Sequence, residues 1–155
     1  MPELPDQAVV ICGGRGERLR PLTDSVPKPM VDVNGVPFLE HLMRQLAIAG
    51  LERFLLLTGY LGEQIKGHFG DGQKFGISIS YLRESEPLGT AGPLSLMPKS
   101  STLPCVVVNG DVLTKVSFEH MLQFHNEGGF DLTIGIKEYP LNLPFGVVVT
   151  EGDRV

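Results

Sequence analysis

The stretch ICGGRGERLRPLTDSVPKP, residues 11–29, holds three glycines within four residues and follows the apolar run AVVIC at 8–12. The apolar run predicts a buried strand that ends at the glycines. Glycines there let the backbone approach a ligand closely, and their N–H groups can form a concave nest for phosphate oxygens. The stretch lacks both the Lys-Ser/Thr ending of a P-loop and the spaced third glycine of a dinucleotide fingerprint. It therefore predicts a phosphate site of another kind.

Cations are unusually dense in this glycine-rich loop, by which we mean residues 13–29. Arg15, Arg18 and Arg20 are planar forks that can clamp phosphates. Lys28 is a compact point charge between two stiff prolines. The alternative is a surface loop with solvated arginines. The position of the whole string, after a strand and before a helix, favours the binding site.

Composition limits the class of protein. A chain of 155 residues predicts one domain, and we expect residues 1–7 to be a tag or linker and 8–155 the domain. The net charge of −5 argues against nucleic-acid binding, and no apolar run approaches the roughly 20 residues of a membrane span. The start carries no basic signal region, which favours a cytoplasmic protein. Cys12 and Cys105 are interpreted as buried free thiols in a reducing compartment.

Strand and helix patterns alternate along the chain. This predicts a three-layer α/β/α fold with a mostly parallel, Rossmann-like sheet. Strands are predicted at 8–12, 53–58, 76–82, 104–111, 131–137 and 145–150, and helices at 38–50, 62–70, 89–98 and 117–129. A turn at 152–153 and a barely started returning strand suggest a domain that is incomplete at its C-terminus.

Two more stretches follow predicted strand ends, where ligands bind in such sheets. Asp111 of NGD comes after the strand and could hold Mg²⁺, which prefers oxygen ligands shared with substrate phosphates. An Asx turn or a helix cap is the alternative for NGD. Gly89 and Thr90 of PLGTAG could approach a base, ribose or phosphate, or could simply cap a helix. The four histidines show no metal-ligand spacing, and no nucleophile for covalent catalysis stands out.

These motifs resemble the sugar-phosphate nucleotidyltransferases, also called NDP-sugar pyrophosphorylases. Their signature G-G-x-G-x-R-L-x-P-L-T-x-x-x-P-K-P stands here without a gap over residues 13–29. PLGTAG, NGD and PFGVV at 144–148 match further family positions in the right order. The stretches FGDGQKFGISISYL and NGDVLTKVSFEHMLQFH look like the mannose-1-phosphate guanylyltransferase-like branch, some members of which carry upstream CBS regulatory modules.

The resemblance implies a glycosyltransferase-A-like fold, a reaction and a set of roles. In the reaction, a sugar 1-phosphate oxygen attacks the α-phosphorus of an NTP, and pyrophosphate leaves. Arg18, Lys28 and Asp111 would be catalytic, with Asp111 also a Mg²⁺ ligand. Phe145 and Gly146 would line the sugar side. The residues that would bind the nucleotide are Gly13, Gly14, Gly16, Glu84, Gly89 and Thr90.

The resemblance also raises questions that the residues leave open. The family's Glu-Lys-Pro segment and second metal-binding Asp are absent, so we expect this chain to be weakly active or inactive by itself. Glu84 lies where related enzymes read the base, and a carboxylate that accepts hydrogen bonds favours guanine, hence GTP. The alternatives are a uridylyl- or thymidylyltransferase, a catalytically silent nucleotide sensor, and, at a greater distance, a dehydrogenase-type domain. A homo-oligomer and an upstream regulatory domain are further expectations.

Overall fold

The computed structural model describes residues 7–97, 105–140, 146 and 151. Strands and α-helices follow one another as β1 (Gln7–Cys12), β2 (Asp32–Val33), β3 (Val36–Pro37), α1 (Phe38–Ile48), β4 (Arg53–Thr58), α2 (Gly62–Phe69), β5 (Ser78–Arg83), β6 (Val106–Asn109) and α3 (Phe118–Gly128). Short 3₁₀ turns lie at Glu17–Leu19, Leu22–Asp24, Lys28–Met30, Gln73–Phe75 and Gly92–Leu96.

The central sheet is parallel, with strand order β5-β4-β1-β6, and β2 and β3 form a separate antiparallel pair. Cys12 is paired with Thr58, and Thr58 with Arg83, while Ile11 is paired with Asn109. The last residues of the four strands therefore lie along one edge of the sheet. This is the edge at which parallel α/β sheets bind ligands.

The two central strands, β1 and β4, are buried on both faces, which explains their nearly continuous apolar sequences. Alternate residues of β1 and β4, such as Val10 and Leu56, pack against α1, α2 and α3. Val9, Leu55 and Leu57 lie on the second face of the sheet, and Leu94 of the 3₁₀ turn Gly92–Leu96 packs against them. The predicted α/β fold with a mostly parallel sheet is confirmed, and within the described residues all three α-helices lie on one face.

The helix ends follow from local chemistry. The first helix buries Leu39, Leu42 and Leu46 and stops where Gly50, at φ +90°, donates its N–H to the Ala47 carbonyl. Ser117 caps α3 as predicted, accepting a hydrogen bond from the backbone N–H of His120 at 3.2 Å. None of the helices in the described part of the chain is long and apolar enough to cross a membrane.

The strand predicted at 131–137 is wrong. Its apolar side chains alternate, but its backbone has no sheet partner among the described residues, and Ile136 is 90% exposed. An alternating pattern only permits a strand, which also needs a neighbour to pair with. Phe130, just before this segment, and Thr133 within it contact α3 instead, through the Phe130 ring on Phe124 and the Thr133 hydroxyl on His125 Nδ1.

Other predicted elements differ at their boundaries or lie outside the described residues. The helix predicted over 89–98 is only the 3₁₀ turn Gly92–Leu96, with Pro93 in its first turn as expected. The first strand starts at Gln7, one residue earlier than predicted. The predicted strand at 145–150 and turn at 152–153 lie outside the described residues, apart from Gly146, which is exposed.

Candidate active site

A cleft of about 970 Å³ opens at the edge where the four parallel strands end. It is bounded by the glycine-rich loop after β1, the segment after β5 and the residues that end and follow β6. The three stretches singled out in the sequence therefore meet in one site. Of the predicted site residues, those that line the cleft are Gly13, Gly14, Gly16, Arg18, Lys28, Glu84, Gly89, Thr90 and Asp111.

The glycine-rich loop is held in shape from within. Gly16 sits at φ +66°, and a Cβ there would lie 3.0 Å from Lys28 Cβ and 3.1 Å from Thr23 Cγ2. Thr23 is buried and donates its hydroxyl to the Gly16 carbonyl at 2.9 Å. A larger residue at position 16 would be both strained and crowded. The loop is therefore closed on itself before any ligand arrives.

Lys28 and Asp111 form an ion pair that joins two of the three stretches. The lysine begins the 3₁₀ turn Lys28–Met30, whose Pro29 is buried, and Asp111 follows β6 by two residues. The two side chains are 30% and 32% exposed, respectively. Each charge thus has a partner and still faces the cleft.

Glu84 joins the segment after β5 to the glycine-rich loop. Its carboxylate lies so close to Gly13 that any side chain at position 13 would collide with it. Glu84 Oε2 also accepts the backbone N–H of Leu88 at 3.2 Å. A carboxylate has further acceptor capacity beyond one such bond, so Glu84 can both order its loop and meet a ligand.

The three arginines of the loop have different surroundings. Arg18 is exposed and lines the cleft. Arg15 also lines it, with its guanidinium 5.9 Å from the ring centre of Tyr60. Arg20 does not line the cleft, and its Nε lies 3.3 Å from Asp24 Oδ1. Of the three arginines able to clamp phosphates, Arg15 and Arg18 therefore line the cleft, whereas Arg20 pairs with Asp24.

Asp111 is the residue of the described chain best suited to hold a divalent cation. The described ranges contain no cluster of three or more His, Cys, Asp or Glu side chains that could ligate a metal. A single carboxylate beside a phosphate loop nevertheless fits Mg²⁺, which is often bound by one or two carboxylates together with substrate phosphates. The residues present fit a metal that arrives with its phosphates.

Cys12 lines the floor of the cleft but is a poor nucleophile. Burial raises the pKa of its thiol well above the usual value, and the charge of Asp111 raises it further. Burial also raises the pKa of Cys105, which is half-buried, and both cysteines are free. The thiols therefore stay neutral and protonated at ordinary pH.

Only one of the two predicted sugar-side residues lies in the described part of the chain. Phe145 lies outside the described residues, and Gly146 is exposed and is not among the residues that line the cleft. Their role stays a prediction.

Sequence analysis missed Thr23 and Tyr60. Thr23 closes the loop, and Tyr60 lines the cleft from the end of β4. A signal for Tyr60 was present, because it follows a predicted parallel strand by two residues and so falls at the ligand-binding edge. Thr23 is the threonine of the signature over residues 13–29, but its burial and its hydrogen bond could not be predicted from a polar loop.

Comparison with known proteins agrees with this arrangement. The family model Nucleotidyl transferase matches residues 7–155. The chain is 42% identical over 150 residues to a mannose-1-phosphate guanylyltransferase of Mycobacterium tuberculosis, covering 96% of this chain and 42% of that protein. It is 36% identical to a D-glycero-alpha-D-manno-heptose 1-phosphate guanylyltransferase of Aneurinibacillus thermoaerophilus, covering 96% and 65%.

A solved structure shares the fold. HddC from Yersinia pseudotuberculosis, also solved in complex with GMP-PN, superimposes with a TM-score of 0.68 at 30% identity, covering 77% of this chain and 53% of HddC. The chain spans about two fifths of the length of the mannose-1-phosphate guanylyltransferases that it matches. The family match over nearly the whole chain, together with the cleft, shows that this chain belongs to the nucleotidyl transferase family.

Proposed function

We propose that this chain is the nucleotide-binding part of a sugar-1-phosphate nucleotidyltransferase that uses GTP. The observation that carries the proposal is the meeting of the glycine-rich loop, the Lys28–Asp111 pair and the Glu84–Thr90 segment in one cleft. Backbone N–H groups, cations and a carboxylate at one strand edge suit a nucleoside triphosphate with its metal. The named guanylyltransferase relatives support the choice of reaction.

In the proposed reaction, an oxygen of the sugar 1-phosphate attacks the α-phosphorus of GTP. The bond from that phosphorus to the β-phosphate oxygen breaks, and pyrophosphate leaves, so the products are a GDP-sugar and pyrophosphate. Such transfers ask a protein mainly for positioning and for neutralisation of charge. The loop glycines and Arg18 would hold the departing pyrophosphate. Lys28 would contact the α-phosphate or the incoming sugar phosphate.

Asp111 would hold the magnesium ion. The ion, when bound, would neutralise phosphate charge and help to orient the triphosphate. Lys28, which pairs with Asp111 in this structure, would then turn to the phosphates. Lys28 and Asp111 would thus pair with each other in the free cleft, and with phosphate and metal, respectively, when the nucleotide is bound.

Glu84 would select the base. Guanine presents an N1–H and an N2–H₂ as adjacent donors, which match a carboxylate acceptor, whereas uracil and thymine offer fewer donors. Gly89 and Thr90 would lie against the nucleoside, because both line the cleft on the same side as Glu84. The names of the relatives suggest guanylyl transfer, and Glu84, Gly89 and Thr90 are the residues of this chain that would recognise the guanosine.

The sugar side and the setting of the protein also belong to the proposal. Phe145 and Gly146 would contribute to the sugar pocket, by resemblance to the family. The two unpaired cysteines suit a reducing cytoplasm. Self-association and an upstream regulatory domain rest on the resemblance alone, and a mass measurement of the native protein tests both.

The experiment has two parts. Binding of GTP, UTP and dTTP with Mg²⁺ is measured on this chain by calorimetry, and pyrophosphate release by the native protein is measured over a grid of NTPs and sugar 1-phosphates. We expect GTP to bind best and pyrophosphate to appear only with a sugar 1-phosphate. Binding without release by the native protein would show a nucleotide sensor, and absence of binding would overturn the proposal.

A further inference from the structure

Tyr60 contacts the glycine-rich loop at points far apart along the loop. Its backbone N–H donates to the Gly13 carbonyl at 3.2 Å, where the loop begins. Its hydroxyl donates to the Asp24 carbonyl at 2.8 Å and approaches the Thr23 carbonyl at 3.3 Å. Between these points its ring lies under the Arg15 guanidinium. A single residue therefore spans the loop from its first glycine to its second 3₁₀ turn.

The residue that makes these contacts is itself firmly placed. Tyr60 stands between β4, a central strand of the sheet, and α2. Leu61 after it adopts φ +50°, which a leucine takes only when its surroundings hold it there. Gln64 in the first turns of α2 adds a fourth contact, donating to the Ser25 carbonyl at 2.9 Å. The β4–α2 corner is thus a rigid support for the loop.

The loop gains from such a support because, apart from the internal Thr23–Gly16 hydrogen bond, it is built from short turns. Its secondary structure consists of 3₁₀ turns of three residues each, held by bonds such as Leu19 N–H to the Gly16 carbonyl. Turns this short have poor hydrogen-bond geometry and do not persist by themselves. The glycine N–H groups and Arg18 would bind phosphates more tightly if the loop were ordered before the ligand arrives, because less ordering would be needed on binding.

We propose that Tyr60 is a positioning residue for triphosphate binding. It acts through the loop: its hydroxyl fixes the Thr23–Asp24 turn, and its ring fixes Arg15 beside the phosphates. This inference rests on the proposed function for the identity of the ligand, but the ordering of the loop by Tyr60 can be tested without any ligand.

The binding test compares Tyr60→Phe, Tyr60→Leu and the matched control Tyr81→Phe. Tyr81 likewise donates its hydroxyl to a backbone carbonyl, that of Gly70 at 2.7 Å, but does not line the cleft. We expect Tyr60→Phe to weaken GTP·Mg²⁺ binding about tenfold, through the lost hydrogen bonds. Tyr60→Leu should lose about threefold more, because the ring under Arg15 is gone. Tyr81→Phe should bind as the wild type does.

Binding of GMP separates positioning from general damage. GMP lacks the β- and γ-phosphates that the loop would hold. Tyr60→Phe should therefore change the affinity for GMP by less than about threefold, which is smaller than the effect of a directly lost hydrogen bond. Equal weakening of GTP and GMP, or unchanged GTP binding, would overturn the proposal.

Hydrogen exchange of the ligand-free protein keeps the two proposals apart. In Tyr60→Phe we expect faster exchange of the Leu19 and Asp24 amides, with the amides of β4 unchanged. If the wild type binds neither nucleotide, the proposed function fails, and faster exchange at these amides would still support the ordering role. Unchanged exchange would refute it whatever the nucleotide data show.

Discussion

The charged groups of the cleft differ from a second charged cluster between α1 and α2. In that cluster Glu40 is 7% exposed and accepts hydrogen bonds from Arg44 Nε and His68 Nε2, each at 3.0 Å. In the cleft, Lys28 and Asp111 are each about a third exposed, and within the described residues Arg18 has no ion pair. Buried charges that satisfy one another hold the fold together, whereas charges that remain partly exposed, even when paired, keep capacity to bind a ligand.

The largest effect should come from Asp111→Asn, because an amide cannot supply the negative charge that a magnesium ion needs. We expect pyrophosphate release by the native protein to fall by about a hundredfold or more. The melting temperature should change little, since the carboxylate is partly solvated. Asp131→Asn, which alters an exposed carboxylate outside the cleft, is the control. A normal rate of pyrophosphate release by Asp111→Asn would contradict the view that the charges of the cleft bind ligands whereas those around Glu40 stabilise the fold.

Gly16→Ala should come next. A methyl group at φ +66° and within 3.1 Å of two side chains should lower the free energy of unfolding by about 1–2 kcal/mol. It should also displace Lys28 and weaken GTP binding. Gly14→Ala is the matched control for stability, because a Cβ there meets nothing within 4 Å. Chemical denaturation measures stability and calorimetry measures GTP binding, and an equal loss of stability in the two variants would contradict the close fit inferred at Gly16.

Glu40→Gln should affect stability and leave nucleotide binding unchanged. Loss of charge-assisted hydrogen bonds to a buried group should lower the free energy of unfolding by about 1–3 kcal/mol at neutral pH. Glu63→Gln is the control, because the Glu63–Arg83 pair is exposed and 3.7 Å long. Weaker GTP binding by Glu40→Gln would contradict the inference that the cluster around Glu40 stabilises the fold without taking part in nucleotide binding.

The stability contributed by Glu40 should also depend on pH. Burial raises the pKa of Glu40, but hydrogen bonds from His68 and Arg44 outweigh burial, so that pKa lies below its reference value of 4.5. A carboxyl group whose pKa is lower in the folded than in the unfolded state stabilises the protein at pH values above its unfolded-state pKa. This stabilisation is lost as the pH falls through the folded-state pKa. The difference between wild type and Glu40→Gln should therefore narrow below about pH 4.5.

The smallest effect should come from Glu84→Gln, which keeps the size of the side chain and exchanges one acceptor oxygen for a donor. We expect the preference for GTP over UTP to fall about tenfold, the value of one mismatched hydrogen bond. Glu86→Gln, also at the cleft, serves as control. An unchanged GTP/UTP ratio would show that Glu84 only orders its own loop.

Sequence patterns predicted the sheet and most of the cleft because both depend on local signals. The apolar run before Gly13 and the apolar run before Asp111 each mark a strand end, and parallel strands bring such ends to one edge. The patterns failed where a distant partner decides the outcome. Residues 131–137 alternate like a strand but have no described neighbour, and Arg20 meets Asp24 rather than the cleft. Tyr60 was missed because its contacts are with the glycine-rich loop, which is distant in the sequence.

The Lys28–Asp111 ion pair has a consequence for selectivity among the small ions of a cell. A lone magnesium ion at Asp111 would compete with an ammonium group, and inorganic phosphate at Lys28 would compete with a carboxylate. Under the proposed function, a nucleotide that arrives with its own metal would satisfy both charges together. We therefore expect the pair to weaken the binding of either ion alone and to favour the metal–nucleotide complex.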